Sequence, residues 1–573
     1  MNLPHSSPDF DSSFRARIDS WIDDDPDETT VATARALLAR IDDSSLALHA
    51  RQEALAELQA AFGSWLTFGT AGLRAALGAG PNRMNSAVVI RAASAVGDFL
   101  LSRRPTAGVG AVVVGFDARH KSAQFAADTC AILSGQAIPV MVLPQPLPTP
   151  VLAFAVRAFD AAAGIMVTAS HNPAADNGYK VYLGARSGLT YEGSQLLPPD
   201  DVQIAERFRN ISSVAHLPRG DDWLTLNDDV VADYIQACVA NLQPTTSREL
   251  RVVHTAMHGV GSQCFLTAAA AAGFGDVRSV AAQAQPDPDF PTVEFPNPEE
   301  PGALDLACAQ AEQVTADLVI AHDPDADRCA VAVRESGIWQ RVSGDDIGLL
   351  LGWWRIEQHR RGWRELKAHA IFASSIVSGS ALALLCARHG IRHVRTLTGF
   401  KWLAQVPGLA YAYEEALGYC VDPDTVRDKD GISAALAVME CAADLKARGI
   451  GLRQQIEALR RELAAPVTAQ IAIAAHEQAA LRERLRQLVL AAPDRLGDVA
   501  VTAVDDMAAG LEWDGQRLPP TEGIQLRLAD SSRVIIRPSG TEPKVKAYLE
   551  CPDKHTLAMV ASAVQRLLQD AQA

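Results

Sequence analysis

The sequence predicts a run of three α/β domains followed by one α+β domain. Two observations carry this. Short apolar runs of the kind buried on both faces of a sheet alternate with helical stretches, and the alternation restarts twice. Beyond about residue 465 the rhythm changes to two helices, Glu477 to Leu490 and His555 to Leu568, around short strands. At 573 residues the chain is several times a typical domain, so about three to five domains are expected.

Residues 1–60 read as a surface-lying helical extension, with helical patterning over Thr29 to Ile41 and from Leu46 onward. A first α/β domain spans 61–213. Its strand Ala111 to Phe116 ends in Asp117-Ala118-Arg119-His120, and the helix Ser122 to Gly135 follows. The strand opening at Gly164 breaks into Thr168-Ala169-Ser170-His171-Asn172-Pro173, and Asn177-Gly178, read as a turn, precedes Lys180. A serine presented at a strand end beside His171 and Lys180 has the parts of an activated nucleophile.

The second domain, 214–342, has its strand Ala316 to Ala321 ending in His322-Asp323-Pro324-Asp325-Ala326-Asp327-Arg328. Three carboxylates at alternate positions repel one another unless a cation lies between them. An all-oxygen set selects Mg²⁺, Mn²⁺ or Ca²⁺ over Zn²⁺. An EF-hand is excluded: counted from Asp323, its required glycine and glutamate fall on Arg328 and Arg334. The third domain, 343–457, carries Lys401 in a strand-end loop and Glu414-Glu415 at the end of another strand, where ionised carboxylates suit sugar hydroxyls. A charged helix from 451 to about 465 reads as a linker. In the last domain, 466–573, Arg537-Pro538-Ser539-Gly540-Thr541 follows a strand and supplies the donors of an anion cradle.

Composition sets limits on partners and compartment. A net charge of −16 argues against a nucleic-acid partner. Nine cysteines without a CxxC pair read as reduced thiols, and neither a signal pattern nor an apolar run long enough for a bilayer is present. A cytoplasmic protein without membrane association is expected. No GxGxxG after a strand, Walker motif or HExxH occurs, so nucleotide, dinucleotide and zincin chemistry are unsupported.

Taken together, a serine loop, an aspartate loop, a carboxylate loop and an anion loop at strand ends suggest a diverged internal repeat. They also suggest metal-assisted phosphoryl transfer on a phosphorylated sugar. The chain resembles the α-D-phosphohexomutase superfamily, and within it the phosphoglucomutase/phosphomannomutase branch. The matching segments are FGTAGLR (68–74), GAGPNRMN (78–85), GFDARHKS (115–122), TASHNP (168–173), NGYK (177–180), HGVG (258–261) and DPDADR (323–328). They continue through SGDDIG (343–348), TGFKW (398–402), EEALGY (414–419), DKDGISAA (428–435) and RPSGTEPK (537–544).

The resemblance implies mixed sheets in the three α/β domains and an active site in a central cleft. It implies that Ser170 is a phosphoserine, and that Asp323, Asp325 and Asp327 hold one Mg²⁺ with the Ser170 oxygen as a further ligand. Arg74 and Lys180 are then the proton-transfer residues, Lys180 as a neutral base whose pKa the flanking Mg²⁺ and Arg lower, with His171 in support. Thr70, Arg328, Lys401, Glu414, Glu415, Arg537, Ser539, Gly540 and Thr541 would bind substrate. The implied activity is an isomerase, an intramolecular phosphotransferase. It would interconvert glucose 1-phosphate and glucose 6-phosphate through glucose 1,6-bisphosphate, which also serves as activator. Phosphopentomutase, phosphomannomutase and an inactive sugar-phosphate binding protein are the competing readings. Hexose phosphates are the expected partners, and the chain a monomer or weak dimer. One departure concerns the sugar: many members carry a serine in the carboxylate loop, where Ala416 or Leu417 stands here. The EEALGY and DKDG forms look like the branch holding phosphopentomutases and glucose-1,6-bisphosphate synthases.

Overall fold

The computed structural model describes residues 12–67, 72–103, 109–474, 478–513, 515–539 and 544–569. The first sheet contains β1 (Leu73–Ala76), β2 (Val112–Phe116), β3 (Val140–Val142), β4 (Ala163–Val167), β5 (Asp176–Leu183), β6 (Ser194–Gln195) and β7 (Leu224–Thr225). Its order is β1-β5-β4-β2-β3-β7, with β6 on β5. The second contains β8 (Arg251–Thr255), β9 (Asp276–Ser279), β10 (Leu318–His322), β11 (Cys329–Glu335) and β12 (Ile338–Arg341), ordered β12-β11-β10-β8-β9. The third contains β13 (Ile371–Ser375), β14 (Arg392–Thr396), β15 (Leu409–Glu414) and β16 (Gly418–Cys420), ordered β14-β13-β15-β16.

One topology underlies all three. The first parallel strand is central (β2, β8, β13), the second and third flank it in parallel, and an antiparallel strand follows the third. The link from the third to the antiparallel strand is the serine loop in the first domain, the aspartate loop in the second and the carboxylate loop in the third. This places three chemically different loops at equivalent points, each at the carboxyl end of a parallel strand where α/β folds bind ligands.

The last domain is an antiparallel sheet of β17 (Val467–Ala474), β18 (Arg495–Leu496), β19 (Val499–Asp506), β22 (Ile524–Leu528), β23 (Arg533–Pro538) and β24 (Lys544–Cys551). A small ribbon of β20 (Leu511–Trp513) and β21 (Gln516–Leu518) leans on the third domain through Leu511 and Leu518, which pack with Ile376, Val377 and Leu397. Helices Gln478–Leu490 and Lys554–Gln569 complete the domain.

Four expectations need correction. The N-terminal segment is not a surface appendage. Its helices Ser12–Asp24, Glu28–Asp42 and Leu48–Phe62 share one core with the first domain, including Ile18, Leu38, Leu58 and Val89. Full burial of each such aliphatic side chain contributes roughly 1.5–3 kcal/mol. The first domain also extends past residue 213, because β7 pairs with β3. Asn177-Gly178 is no turn but the inside of β5. A Cβ at Gly178 would lie 2.5 Å from Thr168 O and 2.8 Å from Leu73 O, so only glycine lets the serine loop and β1 approach from both sides. The expected linker is the helix Leu452–Glu462, which is docked: Leu452, Ile456 and Leu459 are buried and Arg460 pairs with Asp346. Among the described residues no helix is long and apolar enough to cross a membrane.

Candidate active site

Ser170 lies at the first residues beyond β4, with φ +51° and 2% of its surface exposed. Left-handed backbone is uncommon for a residue with a Cβ and persists where the surroundings fix it. Two groups do so. Ser170 N donates to Thr168 Oγ1 at 2.9 Å. Arg119 donates to Ser170 O at 2.6 Å and Pro173 O at 2.8 Å, and also to Asn172 O. Arg119 is a functional residue that sequence reasoning left without a role. Its partners lie about fifty residues on, and only the GFDARHKS segment signalled it.

The Ser170 hydroxyl donates to Asp323 Oδ2 at 2.8 Å and lies 3.1 Å from His171 Nδ1. Burial, with Arg328 and Arg74 nearby, holds His171 well below the usual imidazole range, so the ring is neutral. Arg74, on β1, donates to Asn172 Oδ1 at 2.9 Å, while its buried Nε has no hydrogen-bond partner. Burial pulls this guanidinium down to about 10, against the opposing pull of Asp325.

The aspartate loop crosses to the serine loop from the second domain. Ligand oxygens of Asp323, Asp325 and Asp327 lie within 4.8 Å of one another, fully buried. The loop is braced by Val260 N on Pro324 O (2.9 Å), Thr149 Oγ1 on Asp325 Oδ2 (2.6 Å) and Arg328 N on Asp323 Oδ1 (3.0 Å). Gly259 permits the first contact, since a Cβ there would fall 2.3 Å from Pro324 Cα.

Lys180, on β5, reaches Asp325 Oδ2 at 2.7 Å and Asp327 Oδ2 at 2.9 Å. Burial alone would lower its pKa, but the two carboxylates outweigh this and hold it above the usual lysine value. This reverses the sequence-based expectation of a neutral lysine. Lys429 also meets Asp327 Oδ2, at 3.1 Å, and sequence reasoning gave it no role. Asp325 Oδ1 and Asp327 Oδ1 remain buried without a hydrogen-bond partner. Orphan carboxylate oxygens beside a hydroxyl form a hard-oxygen pocket that fits a divalent cation such as Mg²⁺. Burial and the neighbouring carboxylates push the Asp323 carboxyl above its usual range, a repulsion that a bound cation would relieve.

A cavity of about 140 Å³ opens beside these groups, lined by Arg74, Ser170, His171, Lys180, Arg328, Glu414, Glu415 and Ala416, and from the last domain by Arg537, Ser539, Lys546 and Tyr548. All four domain types thus face one cleft. Glu414 accepts from Gly399 N at 2.6 Å. Glu415 turns toward Ser375 and Ser378, accepting from their hydroxyls at 3.1 and 3.0 Å. Lys401 is not brought to the cleft; its Nζ lies 3.8 Å from Asp201 Oδ2, and Thr398, Gly399 and Phe400 line the cavity instead. Thr70, Gly540 and Thr541 lie outside the described residues.

Glu415 gives a pH prediction. Burial, then Glu414 and Asp345, raise its carboxyl from 4.5 to about 7. The native state therefore keeps this proton where the unfolded chain has lost it, and stability falls as pH rises from about 4.5 to 7. Glu415→Gln is expected to flatten that decline and to stabilise the protein by about 1–2 kcal/mol at pH 8 relative to pH 5, read by thermal melting.

Four family models match the chain in order. They are phosphoglucomutase/phosphomannomutase alpha/beta/alpha domain I over residues 66–215, domain II over 232–337, domain III over 343–462 and the C-terminal domain over 472–567. The chain belongs to the phosphoglucomutase/phosphomannomutase family. A "Probable phosphomannomutase" of Haemophilus influenzae is 40% identical, over 82% of this chain and 93% of its own length. A "Probable phosphoribomutase" of Schizosaccharomyces pombe is 33% identical over 96% and 95%, and the human phosphopentomutase 34% over 89% and 90%. A phosphoglucomutase/phosphomannomutase family protein from Burkholderia thailandensis shares the fold, with TM-score 0.64, 20% identity and coverage of 88% and 97%. The protein is thus a sugar-phosphate mutase of this family. The names of its relatives divide between mannose, pentose and glucose phosphates, so the family leaves the sugar open.

Proposed function

We propose that the protein is a phosphoserine mutase with pentose phosphates as its leading substrates, moving the phosphoryl group between the anomeric and terminal hydroxyls. Mannose and glucose phosphates form the second class. The observation that carries the mutase reading is the Ser170 hydroxyl 2.8 Å from Asp323, inside a buried triad with two orphan oxygens, across one cleft from Arg537. The sugar-loop geometry supports a smaller sugar. Ala416 offers no hydroxyl, and Glu415 is turned to two serines. Relatives named for pentose phosphates, at 33 and 34% identity, support the same choice.

The chemistry has two balanced halves. Phospho-Ser170 gives its phosphoryl to the free hydroxyl of a sugar monophosphate: the P–Oγ bond breaks, a P–O bond to the sugar forms, and the hydroxyl proton ends on Ser170 Oγ. The sugar bisphosphate then turns over, and its other phosphoryl returns to Ser170. Arg537 and Ser539, with Gly540 and Thr541, hold the phosphate that is not reacting. They can accept either end because they grip the phosphate and not the ring. Asp323, Asp325 and Asp327 would hold Mg²⁺, which neutralises charge on the phosphoryl in flight. Lys180 and Arg74 bring further positive charge and exchangeable protons to the reacting oxygens. Neutral His171 sets the Ser170 hydroxyl, and Glu414 faces the sugar.

A coupled assay of ribose 1-phosphate, mannose 1-phosphate and glucose 1-phosphate tests the substrate. The expected kcat/KM for ribose 1-phosphate exceeds that for glucose 1-phosphate by about tenfold or more, the scale of one or two lost contacts. A higher kcat/KM for either hexose phosphate would overturn the pentose preference and leave the mutase chemistry standing.

A further inference from the structure

The loop from Pro286 to Gly302 takes no part in the chemistry above, yet it reaches from the second domain to both the serine loop and the last domain. It is fixed to the second domain by Asp287 N on His258 O (3.0 Å) and by Thr292 Oγ1, which meets both His258 Nε2 and Gln283 Nε2 at 2.8 Å. Gln283 itself is 1% exposed, so this end is anchored in the core. From there the loop crosses to the serine loop. Buried Phe290 lies under the Arg119 guanidinium at 4.9 Å, and Phe295 meets the His171 ring edge-to-face at 6.2 Å. Its far end turns to the last domain, where the Lys544 ammonium stands 5.3 Å from the Phe295 ring centre and 3.1 Å from Glu300 Oε1. Lys544 opens β24, directly after the anion loop.

We propose that Glu300, with Phe295, is a positioning pair that latches the start of β24 to the serine-loop wall, and so keeps the sugar bisphosphate bound while it turns over. The proposal rests on the mutase reading. Between its two half-reactions a bisphosphate must release the Ser170 end and reorient without leaving. Escape is resisted only while Arg537 and Ser539 stay across the cleft from the serine loop. The Glu300–Lys544 pair joins the second and last domains directly. It is about one-third exposed on each side, so it is weak enough to open once per turnover and strong enough to bias closure. A latch of this kind changes retention of the intermediate without touching the phosphoryl.

The test is activator dependence in the full-length, Mg²⁺-loaded protein. Glu300→Gln and Glu300→Asp are compared with wild type on ribose, mannose or glucose 1-phosphate, whichever is turned over fastest, with glucose 1,6-bisphosphate added. Glu300→Gln is expected to raise the half-activating concentration of glucose 1,6-bisphosphate about three- to tenfold, the range for a partly exposed ion pair with a cation over a ring. Its kcat at saturating activator and its melting temperature should match wild type, with Glu300→Asp between the two. An unchanged half-activating concentration, or a kcat loss at saturation that tracks a lower melting temperature, would overturn the latch. A wild type inactive on ribose, mannose and glucose 1-phosphates alike would instead overturn the mutase reading on which it rests.

Discussion

Replacing Ser170 with alanine is expected to lower mutase kcat by at least about 10⁴-fold, or about 5 kcal/mol of barrier, while leaving the protein folded. The size follows from the absence of a second acceptor. Ser170 Oγ is the hydroxyl held against Asp323 at 2.8 Å, and the neutral His171 ring, 3.1 Å from that oxygen, is its hydrogen-bond partner. The fold should survive because Arg119 grips the loop through backbone carbonyls, which alanine keeps. The lost hydrogen bond contributes about 1 kcal/mol. Since φ at this residue is +51°, Ser170→Gly serves as a second variant free of backbone strain. Melting of both variants within about 4 °C of wild type, alongside abolished turnover, is the expected pair of results. Retention of a tenth of the activity would remove Ser170 from the chemistry.

The second large effect is loss of the cation. Exhaustive chelation is expected to lower activity by about 10³-fold or more, with recovery on adding Mg²⁺. Lys180 and Lys429 already neutralise part of the triad, at 2.7 to 3.1 Å from Asp325 and Asp327, so the metal-free protein should stay folded. What those ammonium groups leave unmet is the outward pair of oxygens, Asp325 Oδ1 and Asp327 Oδ1. Asp327→Asn separates the roles. It removes one ligand and leaves both lysines short of a partner, so it should weaken both Mg²⁺ recovery and thermal stability. Breaking a buried pair of this kind costs about 3–5 kcal/mol. Full activity after chelation, confirmed by elemental analysis, would contradict the metal assignment.

Much of this site is legible in the sequence because its parts are short runs at strand ends. Asp323, Asp325 and Asp327 alternate in one loop, and no fold is needed to see that they share a space. Ser170 follows an apolar strand and ends in Asn-Pro, which marks it as exposed to a ligand. Residues whose meaning depends on distant partners are harder to read. Arg119 and Lys429 are single cations until the fold brings the serine-loop carbonyls to one and Asp327 to the other. Lys180 reads as a base flanked by Mg²⁺ and Arg in the resemblance, and only the structure shows the two carboxylates that raise its pKa. Asn177-Gly178 carries a turn signal, yet close approach of Thr168 and Leu73 makes it strand. The N-terminal helices looked peripheral because their apolar faces join a core whose other members are spread from Leu73 to Val214.

The central claim is that Ser170 carries the phosphoryl group. Intact-mass measurement after incubation of the full-length protein with Mg²⁺ and glucose 1,6-bisphosphate tests it most directly, with the site then located by peptide fragmentation. A mass increase of one phosphoryl group on Ser170, discharged by sugar monophosphate and absent in Ser170→Ala, is the predicted result. No increase in the wild type, or a phosphoryl group that persists in Ser170→Ala, would contradict it.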